Sequence, residues 1–244
     1  MRQRAVSIFK KGLSGILDLI YPKRCTMCDC TVEPSDEMIC PSCAEKLHFT
    51  EDPFCLKCGK QLSHEESEYC SDCEKKIHAF DAGRSLFPYS DRVIKSLYRL
   101  KYSNRPGYAA FYGMKMALVF PEVIEKWGVQ VIMPVPLHKS RLKVRGYNQA
   151  ALMARALGAG VGIPVVEDGL IRVKKTRPQR LLDAPARQDN LKNAFKIGRF
   201  DVKLKTVLLV DDIYTTGSTI DEVCRVLRQA GVKEIYFLTA AAGC

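Results

Sequence analysis

The chain has 244 residues, 47% of them hydrophobic and 27% charged, with 38 Lys and Arg against 27 Asp and Glu for a formal net charge of +11. That balance suits a soluble globular protein of one or two domains with a sizeable buried core, and no stretch is apolar enough to span a membrane. Eleven cysteines, unevenly placed, are the compositional outlier.

Residues 1–24 carry apolar side chains at 6, 9, 13, 16, 17 and 20, the spacing of an amphipathic helix. The stretch has neither a continuous apolar core nor a small-residue cleavage site, so it is not read as a signal peptide. Its Arg and Lys residues would allow weak contact with an anionic membrane surface, although an apolar stripe of this kind more often packs on its own protein.

Four CxxC pairs follow: Cys25/Cys28, Cys40/Cys43, Cys55/Cys58 and Cys70/Cys73, and adding 30 to the first two pairs gives the last two. The segment 25–78 is thus a duplicated unit, and two knuckles per unit complete a tetrahedral thiolate site suited to Zn²⁺. Each unit holding its own ion is the simplest pairing, with an interleaved arrangement and one or two ions left open. Disulfides compete, but the chain shows no export signal. Cys30, Cys224 and Cys244 fit no knuckle and read as plain thiols. His48, His64 and His78 read as surface residues, because the cysteine sets are already complete. A closed four-thiolate site contributes folding energy rather than Lewis acidity.

Residues 79–244 read as a second domain. DRVIKSLYRLKY, 91–102, has helical periodicity; VQVIMPVPLH, 129–138, is a strand running into a Pro-rich turn; RGYNQAALMARALG is a helix beyond it. The segment 172–190 is rich in Arg, Lys, Pro and Gln without periodicity and fits a mobile loop that covers a site. Between 139 and 205 lie 16 Lys and Arg against 5 Asp and Glu, whereas residues 1–80 hold 11 against 13. The basic excess is therefore confined to the middle of this domain. It exceeds what a small phosphorylated ligand needs and points to single-stranded nucleic acid, with Lys139, Arg141, Arg145, Arg177, Arg180 and Arg187 as candidate phosphate contacts. A solvated basic face is the plainer reading. The window's aromatics are only Tyr147, Phe195 and Phe200, which makes stacking secondary to backbone contact.

VLLVDDIYTTGST, 207–219, carries the chemistry. Val207 to Val210 form a strand buried on both faces, Asp211 and Asp212 sit at its carboxyl end, and Thr215-Thr216-Gly217-Ser218-Thr219 opens a helix that ends at Gly231. Backbone N–H groups, a helix dipole, hydroxyl donors and a glycine suit a phosphate monoester. The carboxylates repel that phosphate but accept hydrogen bonds from vicinal hydroxyls, so the site fits a ribose 5-phosphate. No G-x-x-x-x-G-K-[ST] or strand-borne G-x-G-x-x-G occurs, which excludes a Walker A loop and a dinucleotide fingerprint.

This stretch resembles the phosphoribosyl pyrophosphate (PRPP) loop of type I phosphoribosyltransferases. The resemblance implies that Asp211 and Asp212 take the ribose hydroxyls at the catalytic centre, that Thr215 to Thr219 cradle the 5-phosphate, and that Mg²⁺ bridges ribose and pyrophosphate. It also places a pyrophosphate loop at Pro134 to His138, with Pro136, Leu137 and His138 as ligand contacts. Together PVPLHKSRLKVRGYNQA, KKTRPQRLLDAPARQDNLKNAF, VDDIYTTGST, the Lys101-Tyr102 pair and the CxxC-rich start resemble the ComF (ComFC) family of competence proteins. That resemblance covers nearly the whole chain. It implies a double zinc ribbon before a type I phosphoribosyltransferase-like α/β domain, a mostly parallel sheet flanked by helices, with Lys101 facing the ligand. It also implies a cytoplasmic role in natural transformation, in which single-stranded DNA enters alongside a DNA translocase and recombination mediators, with weak inner-membrane association open. An active transferase acting on an amine or nucleobase is the alternative, and a reused scaffold without chemistry is a third.

Overall fold

The computed structural model describes residues 22–33, 37–64, 66–175, 191–199 and 205–243. The expected N-terminal helix falls mostly in 1–21, and most of the expected covering loop falls in 176–190; both lie outside the described residues, as do Arg177, Arg180, Arg187, Phe200 and Cys244.

The chain forms two compact units, Met1–Leu47 and His48–Cys244. The smaller contains the first cysteine unit, in which an Arg24–Thr31 bridge closes the knuckle and α1 (Pro41–Ala44) follows Cys40. The larger contains the second cysteine unit, with the equivalent Phe54–Gln61 bridge and α2 (Ser71–Lys75), together with everything downstream. The division into compact units therefore falls between the two cysteine units.

Sheet and helices of the larger unit follow in order β1 (Ala82–Pro88), α3 (Asp91–Tyr102), α4 (Tyr108–Val119), α5 (Pro121–Lys126), β2 (Val131–Pro134), α6 (Lys139–Arg145), α7 (Gln149–Val161), β3 (Leu170–Arg172), β4 (Phe195–Ile197), β5 (Thr206–Tyr214), α8 (Ser218–Gln229) and β6 (Glu234–Ala242). Four strands make one sheet in the order β1-β6-β5-β2, every neighbouring pair parallel. The central strands read as unbroken apolar runs because both faces are covered. Val207 to Val210 are fully buried, as are Phe237 and Leu238 opposite. α4 and α7 pack on each other, Gly113 lying against the Met153 carbonyl and Ala156, and between them bury Tyr112, Met116, Met153 and Leu157. Burying each such large side chain stabilises by about 1.5–3 kcal/mol. β3 and β4 form a separate antiparallel pair outside this sheet.

The strand expected at 207–210 runs on to Tyr214, where it still pairs with Ala242. The acidic pair thus belongs to the strand itself, with Asp211 in register with Thr239. KSRLKVR, which carries no apolar period, forms α6; His138 accepts from the Ser140 N–H at its start, and Gly146 in the left-handed region stops it. None of its residues is buried, so α6 is an outboard basic helix.

Candidate functional site

The carboxyl ends of β2 and β5 meet the end of α3 at one place. Asp212 is buried, its Oδ2 lying 2.5 Å from Lys101 Nζ, and Gln149 Nε2 donates to it over 3.2 Å. Asp211 is half-buried and accepts from the Asp212 N–H at 2.8 Å. Burial, reinforced by the neighbouring Asp212 charge, pushes the Asp211 carboxyl up to about 8, against the pull of Lys101 and Arg172. Two adjacent carboxyls are thus held where one resists ionisation, which favours a guest that brings hydroxyl donors or positive charge.

Arg172, at the end of β3, was not picked out by sequence. Burial first, then the nearby Arg141, lowers its guanidinium to about 10, while Asp211 opposes both. Those influences put Arg172 within electrostatic reach of Asp211 on one side and of the expected nucleic-acid contact Arg141 on the other. The only local signal was an Arg ending a short apolar run. Gln149 was likewise missed, because it opens a helix remote in sequence.

Beyond β5 the phosphate-type loop is short. Gly217 (φ 74°) caps α8, and Thr216 and Ser218 share a hydroxyl hydrogen bond of 3.0 Å. Glycine is required at 217 for its left-handed backbone and for room: a Cβ there would stand 2.8 Å from Tyr214 Oη and 2.9 Å from His78 Cε1. Of the expected pyrophosphate loop, Pro136 is buried and His138 is spent capping α6, its Nδ1 also 2.8 Å from Ser140 Oγ. Leu137, half-buried, lines with Pro136 a cleft of about 400 Å³ that α6 and α7 flank. The structure thus groups Asp211, Asp212 and Lys101 directly.

His78 corrects its expected place on the surface. It is buried, its Nδ1 lies 3.0 Å from Asp221 Oδ2, and its ring stacks on Phe80 at 4.8 Å. Asp221 stands in the first turn of α8, directly after the loop, and also takes Lys76 Nζ at 2.7 Å and the Ala79 N–H at 3.1 Å. Burial works against its ionisation, but the His78 and Lys76 hydrogen bonds prevail and hold it below the usual carboxylate range. The exit of the second ribbon is therefore bolted to the helix that the loop opens.

The second ribbon's thiols, Cys55, Cys58, Cys70 and Cys73, all lie within 4.8 Å of one another. The 3.7 Å between Cys58 and Cys70 Sγ matches the edge of about 3.8 Å that a tetrahedron with ~2.3 Å Zn–S bonds requires. The donor set fits Zn²⁺. In the first ribbon the grouped thiols are Cys25, Cys28, Cys30 and Cys40, whereas Cys43 was expected where Cys30 stands. Cys28 and Cys40 Sγ make a 3.7 Å edge, while Cys28 and Cys30 Sγ are only 3.1 Å apart. Cys43 also interacts with Cys40, Cys28 and Cys25; burial foremost, then these thiols, push it up to about 12. Five thiols thus converge where four were expected. The cause is the turn at Asp29 (φ 68°), which folds Cys30 back so that the Cys25 N–H donates to its carbonyl.

Fold and cysteine sets define the class: a phosphoribosyltransferase-type α/β domain preceded by zinc-ribbon units. Residues 16–74 match the double zinc ribbon domain model, and residues 142–243 match the phosphoribosyl transferase domain model. The chain belongs to the ComF-type family of competence and DNA utilization proteins. It is 44% identical to competence protein F of Haemophilus influenzae over 108 residues, 43% of this chain and 47% of the relative. It is 31% identical to DNA utilization protein YhgH of Salmonella typhimurium over 157 residues, 62% and 67% of the two chains. Competence protein ComFC of Bacillus subtilis matches at 28% over 149 residues, 61% and 58%. The matched region thus spans about half the length of the Haemophilus relative. Among solved structures, the purine phosphoribosyltransferase of Pyrococcus horikoshii aligns with TM-score 0.34 at 21% identity, covering 52% of this chain and 71% of that one. Glutamine PRPP amidotransferase of B. subtilis aligns with TM-score 0.38 at 19%, covering 59% and 30%. Among the described residues no helix is long and apolar enough to cross a membrane.

Proposed function

We propose that the chain binds PRPP with Mg²⁺ at the carboxyl end of β5 and acts as a DNA-uptake factor of natural transformation, taking single-stranded DNA on its basic surface and supporting its entry into the cytoplasm. The observation that carries the reading is the Asp211–Asp212 pair: one carboxyl is tied to Lys101, and the other is held back from ionisation directly before a glycine-containing hydroxyl loop. Asp211 and Asp212 would accept from the ribose hydroxyls, and Thr215 to Thr219 would donate to the 5-phosphate. The site offers hard oxygen donors and no closed protein cage, which fits Mg²⁺ brought with a polyphosphate. When bound, the ion would offset pyrophosphate charge. A DNA translocase and a recombination mediator are the expected protein partners, with residues 1–24 available for weak contact at the inner face of the membrane.

Calorimetry with PRPP and Mg²⁺ tests the ligand. Heat is expected from the wild type and none from the Asp211→Asn/Asp212→Asn variant; equal heats would overturn the assignment. Catalysis of phosphoribosyl transfer to an amine or nucleobase is the second reading, favoured by β3, which stands outside the main sheet and brings Arg172 to the acidic pair. Pyrophosphate release with a nucleobase panel, abolished in the same variant, would establish it, and no release would leave binding alone.

A further inference from the structure

Tyr98 and Tyr102 lie one turn apart on α3, with ring centroids 4.7 Å apart and planes inclined by 44°. They are 53% and 59% exposed, an unusual exposure for two large rings side by side. The Arg145 guanidinium lies 5.4 Å from the Tyr102 centroid, close enough for a cation–π contact. Arg145 belongs to α6, the outboard helix that also carries Lys139, Arg141 and Lys143 and buries none of its residues. On α3 the exposed Lys95 shares the tyrosine face one turn earlier. The basic segment, whose own aromatics looked too few for stacking, is thus supplied with two from another helix. Among the described residues its own rings are engaged elsewhere: Phe195 is buried with Arg172 over it, and half-buried Tyr147 donates to the Leu100 carbonyl.

The platform adjoins the acidic pair. Arg145 donates to Gln149, Gln149 donates to Asp212, and Lys101 beside Tyr102 pairs with Asp212. We infer that Tyr98 and Tyr102, flanked by Lys95, Lys143 and Arg145, stack unpaired bases of a single-stranded nucleic acid whose phosphates run along α6. A π face accepts any base, whereas the surrounding charge selects a polyanion, so the surface fits single strands without strong sequence preference. Paired bases in a duplex hide their faces from it.

The inference rests on the reading that the chain binds single-stranded DNA, and the test separates the two. Anisotropy of a labelled oligothymidylate is measured with wild type, Tyr98→Ala/Tyr102→Ala and Tyr98→Phe/Tyr102→Phe, against an abasic strand of equal length and a duplex. Wild type should prefer oligothymidylate over both competitors. The alanine variant should lose roughly tenfold or more on oligothymidylate and nothing on the abasic strand, and the phenylalanine variant should bind as wild type. Its dependence on salt and its heat with PRPP should be unchanged, since phosphate contacts and the ribose site remain. Wild-type binding with an undiminished alanine variant overturns the platform alone. Absence of wild-type binding overturns the nucleic-acid reading with it.

Discussion

The two cysteine units repeat each other position for position thirty residues apart: Cys25 to Cys55, Arg24 to Phe54, Thr31 to Gln61, and Asp29 (φ 68°) to Gly59 (φ 71°). Yet the second alone belongs to the larger compact unit. The difference lies around the ligands. A Cβ on Gly59 would stand 2.5 Å from Arg84 Cα and 2.7 Å from the Gly83 carbonyl of β1, so the second knuckle lies flat on a strand where the first carries a carboxylate. The Lys57 carbonyl accepts from the Gly83 N–H, and Arg84 lies over Phe54 at 4.4 Å. Cys55, Cys58 and Cys70 belong to one apolar core with Val207, Leu209 and Phe237. At the position of Cys30 stands Lys60, paired at 2.9 Å with Asp72, so the extra thiol of one copy is a salt bridge in the other. A metal motif fixes its ligands; the residues between them decide what it is built into.

The largest expected effect comes from breaking one copy at a time. Structural zinc supplies on the order of 10 kcal/mol in small metal domains, as much as a whole domain's stability. Cys58→Ser should remove the cooperative unfolding transition of the larger unit, and Cys25→Ser should leave that transition in place, by scanning calorimetry. Equal losses would erase the distinction. Exchanging the turn residues comes next. Gly59→Asp should cost about 3 kcal/mol or more in denaturant unfolding, because side-chain atoms meet backbone in a left-handed conformation, whereas Asp29→Gly should change stability by less than about 1 kcal/mol.

Removing the bolt to α8 should cost less. Asp221→Asn is expected to destabilise by about 2 kcal/mol near neutral pH, since His78 and Lys76 lose a charged partner. The Asp221 carboxyl is depressed on folding, so its stabilisation is present above its unfolded value near 3.8 and is lost as pH falls through the lower folded value. Variant and wild type should therefore converge in acid, and a gap that persists there would point to packing instead. Asp211 acts with the opposite sign. Asp211 is raised from 3.8 to about 8 on folding, so it subtracts stability progressively across that window as pH rises. Asp211→Asn should raise the melting temperature at pH 8, with a gain that shrinks toward pH 4.

Much of the fold was legible because ligand geometry and sheet burial act over short stretches. Val207 to Val210, the hydroxyl loop and its helix lie consecutively, and the duplication could be counted directly. What was not legible is set by packing between distant segments. Gln149, Arg172 and the His78–Asp221 pair join residues from different elements, and His78 looked like a surface histidine until α8 was placed against it. The exchange of Asp29 for Gly59 was visible in the alignment of the two copies, but its meaning required β1 underneath. Tyr98 and Tyr102 follow helical spacing like core residues, and only the packed fold shows that their face of α3 is turned outward.

On the PRPP reading proposed above, the second ribbon braces the ribose-phosphate site through Asp221. The most direct measurement is titration of PRPP with Mg²⁺ into Cys25→Ser, Asp221→Asn and Asp211→Asn/Asp212→Asn variants beside wild type. Wild-type affinity is expected for Cys25→Ser, affinity weakened roughly tenfold for Asp221→Asn through loosening of the loop's anchor, and no binding for the double variant. Wild-type heats from all three would contradict it.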